Sequence, residues 1–129
     1  MNIVDLSCGT WHVLALSADR NTVFSAGSNK NGECGREGNT AIFEPLDFTE
    51  ESVSQISAGY CVSFIVGASS KKAFSFGKSP ISLQKNATSK PLEVKALEAG
   101  VSEIAQGATY AACVMEDGRL FTWGENKFG

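Results

Sequence analysis

The chain has 129 residues, 43% hydrophobic and 19% charged, with a formal net charge of −3. That composition fits one globular domain, and its acidic balance argues against DNA, RNA or an anionic membrane as the main partner. No apolar run approaches the roughly 18 residues of a membrane span, and the start, Met1 to Asp5, lacks the basic and apolar segments of a signal peptide.

Ile3 to Cys8 is predicted to be a strand, with Val4, Leu6 and Cys8 on one face. Gly9 ends it. Val13 to Ser17 follows as VLALS, apolar on successive positions, as expected of a strand sandwiched between layers. Ala18 to Asn21 forms a turn in which Asn21 is expected to take positive φ, and Thr22 to Ala26 is the third strand. Gly27 to Gly35, GSNKNGECG, is a glycine-rich loop. It has neither the GxxxxGK(S/T) pattern nor a following helix, so a phosphate cradle is disfavoured. A structural loop is expected instead, with Asn29 bonding backbone through its side chain. Ala41 to Phe48 is predicted as a short outer strand, held to an edge or a strand start by Pro45.

Val53 to Ala58, Ser63 to Val66 and Lys72 to Phe76 then repeat the first three strands, with a looser turn from Gly67 to Lys71. The segment Gly77 to Ser89 replaces the glycine-rich loop and is the most divergent connection. The nearest approach to a helix, Ser82 to Glu98, is broken by Pro91. Val101 to Gly129 repeats the pattern a third time, with Glu116-Asp117-Gly118 as a hairpin turn. Pro45-Leu46-Asp47-Phe48 and Pro91-Leu92-Glu93-Val94 match as a further pair preceding the second and third units.

Two glycine series set the register. Gly9, Gly59 and Gly107 recur about 50 residues apart, and so do Gly27, Gly77 and Gly124. Four strands per unit at that period indicate an all-β protein, a β-propeller with units over 3–48, 53–97 and 101–129. The first glycine series is expected to let the strands before and after it approach closely. About two and a half blades cannot close, and the open arc would leave apolar faces bare. The chain is therefore expected to be part of a longer propeller, or to be completed by other copies.

Four cysteines, Cys8, Cys34, Cys61 and Cys113, form no CxxC pair and no zinc spacing. They are expected as small buried free thiols in a reducing compartment.

These residues resemble a known family. Trp11-His12-Val13-Leu14-Ala15-Leu16 is similar to the His-Ser/Thr-Leu-Ala-Leu segment of the regulator of chromosome condensation (RCC1) repeat. Phe121-Thr122-Trp123-Gly124-Glu125-Asn126 is similar to its Trp-Gly-x-Asn segment. The resemblance implies an incomplete RCC1-type β-propeller, in which His12 is a structural repeat residue, replaced by Val62 and Tyr110 in the other units. It also implies a binding module, a protein–protein scaffold or regulatory adaptor, cytoplasmic or nuclear. The alternative it implies is nucleotide exchange on a Ran-like small GTPase, for which Asp19, Glu33, Glu116 and Asp117 would be the acidic candidates. Chromatin binding would want a basic face, and none is visible. No catalytic residue, metal site or cofactor is expected. Loop position points to Asn29, Lys30, Glu33, Lys78, Gln84 and Lys85 as partner contacts.

Overall fold

A computed structural model of the chain describes residues 2–78 and 88–125, with backbone alone at 88 and 89. Pro80, Gln84, Lys85 and Asn126 lie outside the described residues. The elements run β1 (Ile3–Cys8), β2 (His12–Ser17), β3 (Val23–Gly27), β4 (Glu44–Pro45), β5 (Val53–Ala58), β6 (Val62–Gly67), β7 (Ala73–Gly77), β8 (Thr88–Glu93), a 3-10 turn (Lys95–Leu97), β9 (Val101–Gln106), β10 (Tyr110–Met115) and β11 (Leu120–Gly124). No α-helix occurs among the described residues.

Each unit folds into its own antiparallel sheet. The orders are β1-β2-β3-β4, β5-β6-β7-β8 and β9-β10-β11. Corresponding strands pair in the same register. His12 faces Gly27, Val62 faces Gly77 and Tyr110 faces Gly124. The three sheets stack through two apolar seams. The first joins Leu14, Leu16 and Val23 to Val53, Ile56, Ile65, Phe74 and Phe76. The second joins Val62, Phe64 and Val66 to Val101, Ile104, Cys113 and Met115, with Trp123 against it. The middle sheet is thus covered on both faces. This is why β6 and β7 are buried at every position and read as continuous apolar runs.

Strand pairing across a seam is replaced by main-chain and side-chain stitches. Val53 N–H donates to Arg20 O at 2.8 Å, and Val101 N–H donates to Lys71 O at 2.7 Å. Gln55 acts as a short strand would. Its Nε2 donates to Ile104 O at 3.3 Å, and its Oε1 accepts from Ile104 N–H at 3.0 Å.

The structure corrects several expectations. In the first turn the residue at positive φ is Arg20, at 63°, rather than Asn21. The Asp19 carboxylate accepts from Asn21 N–H and from the Ser17 hydroxyl, which fixes the turn one residue earlier. The outer strand of the first unit is only Glu44–Pro45, not Ala41 to Phe48. The two Pro-Leu-acid-apolar segments are also out of structural register. Phe24 pairs with Pro45, whereas Phe74 pairs with Glu93. The counterpart of Leu46 is Val94: each is buried, and each donates its N–H to the first residue of the neighbouring strand, Val23 or Ala73. Leu92, the expected counterpart of Leu46, is exposed. Pro91 sits within β8, an edge strand, where its missing N–H breaks no ladder. Cys34, Cys61 and Cys113 are buried free thiols, but Cys8 is exposed, because no sheet covers the outer face of the first one.

Candidate interaction surface

Gly9, Gly59 and Gly107 follow the innermost strand of each sheet, and their loops converge. With Cys8, Thr10, Ala58, Tyr60, Gln106 and Ala108 they line one depression of about 300 Å³. Close approach is required here, but chiefly between units rather than within one. A Cβ on Gly9 would meet the Gly59 carbonyl oxygen of the next sheet and the His12 ring. On Gly59 it would meet the Gln106 amide, and on Gly107 the Tyr110 ring at 2.7 Å. Thr10 N–H donates to Gly59 O at 3.1 Å, which closes the inner edge of the first seam.

The second glycine series closes β3, β7 and β11. Gly27, Gly77 and Gly124 sit at φ of 115°, 96° and 138°, where a side chain is strained. A Cβ there would also collide with the carbonyl oxygen of Trp11, Cys61 or Thr109. Both demands come from one geometry. The chain leaves the third strand over the turn that opens the second, so Ser28 N–H bonds Trp11 O at 2.8 Å and Lys78 N–H bonds Cys61 O at 3.0 Å.

His12 belongs to the first seam. The Ser63 hydroxyl donates to Glu33 O at 2.8 Å, so it accepts from His12 Nε2 at 2.7 Å. Nδ1 is then the unprotonated nitrogen, and it is buried without a partner. A second ring proton would have no acceptor. Burial accordingly pushes the His12 pKa below its usual value, and the nearby Glu33 carboxylate only partly offsets this. Such a histidine is neutral and structural. Burial likewise raises the thiols of Cys34, Cys61 and Cys113, which makes them poor nucleophiles.

The loop after Gly27 is built around two residues. Asn29 does what its sequence position predicts: Oδ1 accepts from Cys34 N–H at 2.9 Å and Nδ2 donates to Arg36 O at 2.7 Å. Arg36 is the residue that sequence reasoning missed. Its buried guanidinium donates to Ser25 O at 2.9 Å, Ser25 Oγ at 3.1 Å, Ile42 O at 2.8 Å and Asn39 O at 3.2 Å, with Glu44 at 3.4 Å. It ties the loop to β3 and to the approach of β4. The signal available was a single arginine directly after the glycine loop, which on its own looks like a solvated charge.

The contact candidates separate accordingly. Lys30 and Lys78 are exposed at the end of the sheets that carries the glycine loops, and Asn29 is half-buried in holding its own loop. Glu33 is corrected. It is 1% exposed, its carboxylate takes Asn31 N–H, and its carbonyl takes Ser63, so it does not reach outward. Gln84 and Lys85 are outside the described residues. The acidic candidates do not gather. Asp19, Glu116 and Asp117 lie in turns at the opposite end of the sheets, with Asp117 paired to Arg119 at 2.6 Å. Two exposed aromatics lie in turns at the same end of the sheets as the lysines. Trp11 is 65% and Tyr60 44% exposed. Asn31 Nδ2, 3.3 Å from Cys61 Sγ, joins the first unit's loop to the second unit's turn at this end. Among the described residues no three or more His, Cys, Asp or Glu side chains form a group able to hold a metal ion, and no helix is long and apolar enough to cross a membrane.

Comparison with known proteins settles the family. The model described as the regulator of chromosome condensation (RCC1) repeat matches residues 3–33 and 101–129. The chain belongs to the RCC1 repeat family. The middle unit shares the sheet order and strand register of the other two. Among curated relatives, the human Probable E3 ubiquitin-protein ligase HERC6 is 32% identical over 143 residues, covering 100% of this chain and 14% of that protein. The human RCC1-like G exchanging factor-like protein is 32% identical over 141 residues, covering 98% of this chain and 30% of that protein. Among solved structures, human WBSCR16 superposes with a TM-score of 0.79 at 26% identity, over 97% of this chain and 34% of that one. Prp20p from Saccharomyces cerevisiae superposes at 0.84 with 19% identity, over 97% and 33%, and supports the propeller fold. The chain thus spans about a third or less of the relatives it matches, and its three sheets form an arc of an RCC1-type propeller.

Proposed function

We propose that this run of RCC1 repeats is a protein–protein interaction module, a scaffold or adaptor that acts by binding and carries no chemistry of its own. The observation that carries the reading is the surface formed by Trp11, Tyr60, Lys30 and Lys78. Exposed aromatic rings are the side chains that anchor protein interfaces, and two exposed lysines at the same end of the sheets favour an acidic partner surface. The buried, neutral His12 and the buried thiols offer no nucleophile or general base there.

The test is capture of partners from lysate by the wild-type chain and by the Trp11→Ala/Tyr60→Ala variant. Both positions are exposed, so the variant keeps its thermal midpoint. Truncating two anchors is expected to weaken binding by about 30-fold or more. Capture that survives both truncations would remove this surface from the reading.

A second reading is guanine-nucleotide exchange on a Ran-like GTPase. It is supported by the likeness to a protein named as an RCC1-like G exchanging factor-like protein, and by Prp20p, a protein of the same fold with binding properties to Gsp1p and histones. The acidic residues that would assist it are divided between the core and the opposite end of the sheets, which ranks it second.

A further inference from the structure

Asn31-Gly32 is the sole Asn-Gly pair in the chain. Asparagine is chemically labile, and it cyclises most readily before glycine, which has no side chain to shield the attacking main-chain nitrogen. The loop from Gly27 to Gly35 supplies its own comparison. Asn29 is half-buried, its amide is bonded at both ends, to Cys34 N–H at 2.9 Å and to Arg36 O at 2.7 Å, and Lys30 follows it. Asn31 is exposed. Its Nδ2 reaches Cys61 Sγ, a weak acceptor, at 3.3 Å, and its Oδ1 has no hydrogen bond among the described residues. The Gly32 N–H donates to Asn29 O at 3.2 Å, the long end of the N–H···O range. Elsewhere, Oδ1 of Asn21 takes the Ser52 hydroxyl at 2.8 Å and Oδ1 of Asn39 takes Ala41 N–H at 3.0 Å. A β-branched threonine follows each of them.

We propose that Asn31 is a site of spontaneous deamidation, and that its products loosen the first seam. The Gly32 nitrogen gives up its proton to water and attacks Asn31 Cγ. The N–Cγ bond forms, the Cγ–Nδ2 bond breaks, and ammonia leaves, which closes a succinimide ring. Water then opens the ring at either carbonyl. Opening at Cγ gives aspartate on an unchanged backbone. Opening at the main-chain carbonyl gives isoaspartate, whose backbone runs through the side chain and is one methylene longer. The sum is amide plus water to carboxylic acid plus ammonia, with no change of oxidation state.

The surroundings decide what the new acid does. Asn31 N–H is bonded to Glu33 Oε2 at 3.1 Å, and Glu33 is 1% exposed, so a carboxylate at position 31 stands against another that is held in place. The amide donor to Cys61 Sγ, which joins the loop to the second sheet, is lost. The added methylene of isoaspartate lies just before Glu33, whose carbonyl takes the Ser63 hydroxyl at 2.8 Å, and that hydroxyl holds His12 Nε2 at 2.7 Å. Both products therefore act where the first sheet meets the second. The inference stands independently of the scaffold reading, since it concerns the loop's own chemistry and not a partner.

The folded wild-type chain, aged at neutral pH in heavy-oxygen water and digested in ordinary water, tests it. Heavy oxygen should enter at residue 31, as a mixture of aspartate and isoaspartate, and not at Asn21, Asn29 or Asn39. The label dates the reaction to the folded chain. Its rate should be of the same order as in the free peptide Ser28–Gly35, and Asn31→Gln, whose ring would need one more member, should take up none. His12 is the single histidine, so its ring gives one set of NMR signals. Those signals should move in the aged fraction separated by charge, and exchange of the Cys34 amide hydrogen should quicken. A residue 31 left unlabelled while the free peptide reacts, or equal label at Asn29, would overturn the site. His12 signals and Cys34 exchange identical in aged and fresh chain would overturn the loosening of the seam.

Discussion

His12 is the chain's single histidine, and its environment decides its charge. The Ser63–Glu33 chain uses Nε2–H, and Nδ1 faces no acceptor, so the ring is held neutral. Its folded pKa lies below the usual 6.5. The unfolded chain therefore takes up the proton more readily, and stability is complete above about pH 6.5 and falls as pH drops below it. Thermal midpoints of the wild-type chain between pH 8 and pH 5.5 should show that decline, and His12→Gln should flatten it. A wild-type midpoint independent of pH in that window would mean the ring protonates at no cost. The axial glycines make a second residue-scale prediction, in which one repeat position carries different costs. At Gly9 an added Cβ meets the backbone carbonyl of Gly59, which cannot yield. At Gly59 it meets the end of the Gln106 side chain, which can swing away. Gly9→Ala should therefore lower the thermal midpoint more than Gly59→Ala does. Gly77→Ala should cost at least about 1–3 kcal/mol through φ strain alone, measured by denaturant unfolding.

At the scale of elements, the inner three strands of each unit were legible in the sequence. Glycines bracket them, and burial on both faces writes them as apolar runs, as in Val62 to Val66. The outer strands were not. β4 is two residues long, and the Pro-Leu match drew attention to identities that do not coincide in space. The true correspondence, Leu46 with Val94, is a matter of burial and one main-chain bond to β3 or β7. Arg36 was illegible for a related reason. Its partners, Ser25, Asn39 and Ile42, become neighbours only when the loop folds back over β3. Arg36→Ala removes the charged donor from the buried Ser25 carbonyl and hydroxyl and from the Asn39 and Ile42 carbonyls, and is expected to cost about 2–3 kcal/mol. Arg36→Lys should recover little, because an ammonium cannot span carbonyls set around a planar fork. Hydrogen exchange across 27–45 would report the loosening. Unchanged protection there would show that the loop is held by Asn29 alone.

Over the whole molecule, the fold follows from one rule applied three times: an antiparallel sheet, a glycine after its innermost strand where the chain is closely approached, and an apolar face on either side. Function is written in a smaller vocabulary. The loops named from sequence do lie at the end that bears Trp11 and Tyr60, but the side chains that reach solvent could be separated from those that hold the loop only in three dimensions. Glu33 shows this most plainly: an acidic residue in a polar loop, folded inward to the Ser63 and Asn31 contacts. The central claim, binding through the Trp11–Tyr60 surface without nucleotide exchange, is tested most directly by quantitative capture from lysate with and without EDTA, which strips Mg²⁺ and empties small GTPases. The account predicts the same partner at equal yield in both conditions, and its loss with Trp11→Ala/Tyr60→Ala. A GTPase retained only in EDTA, and retained equally by the double variant, would contradict it.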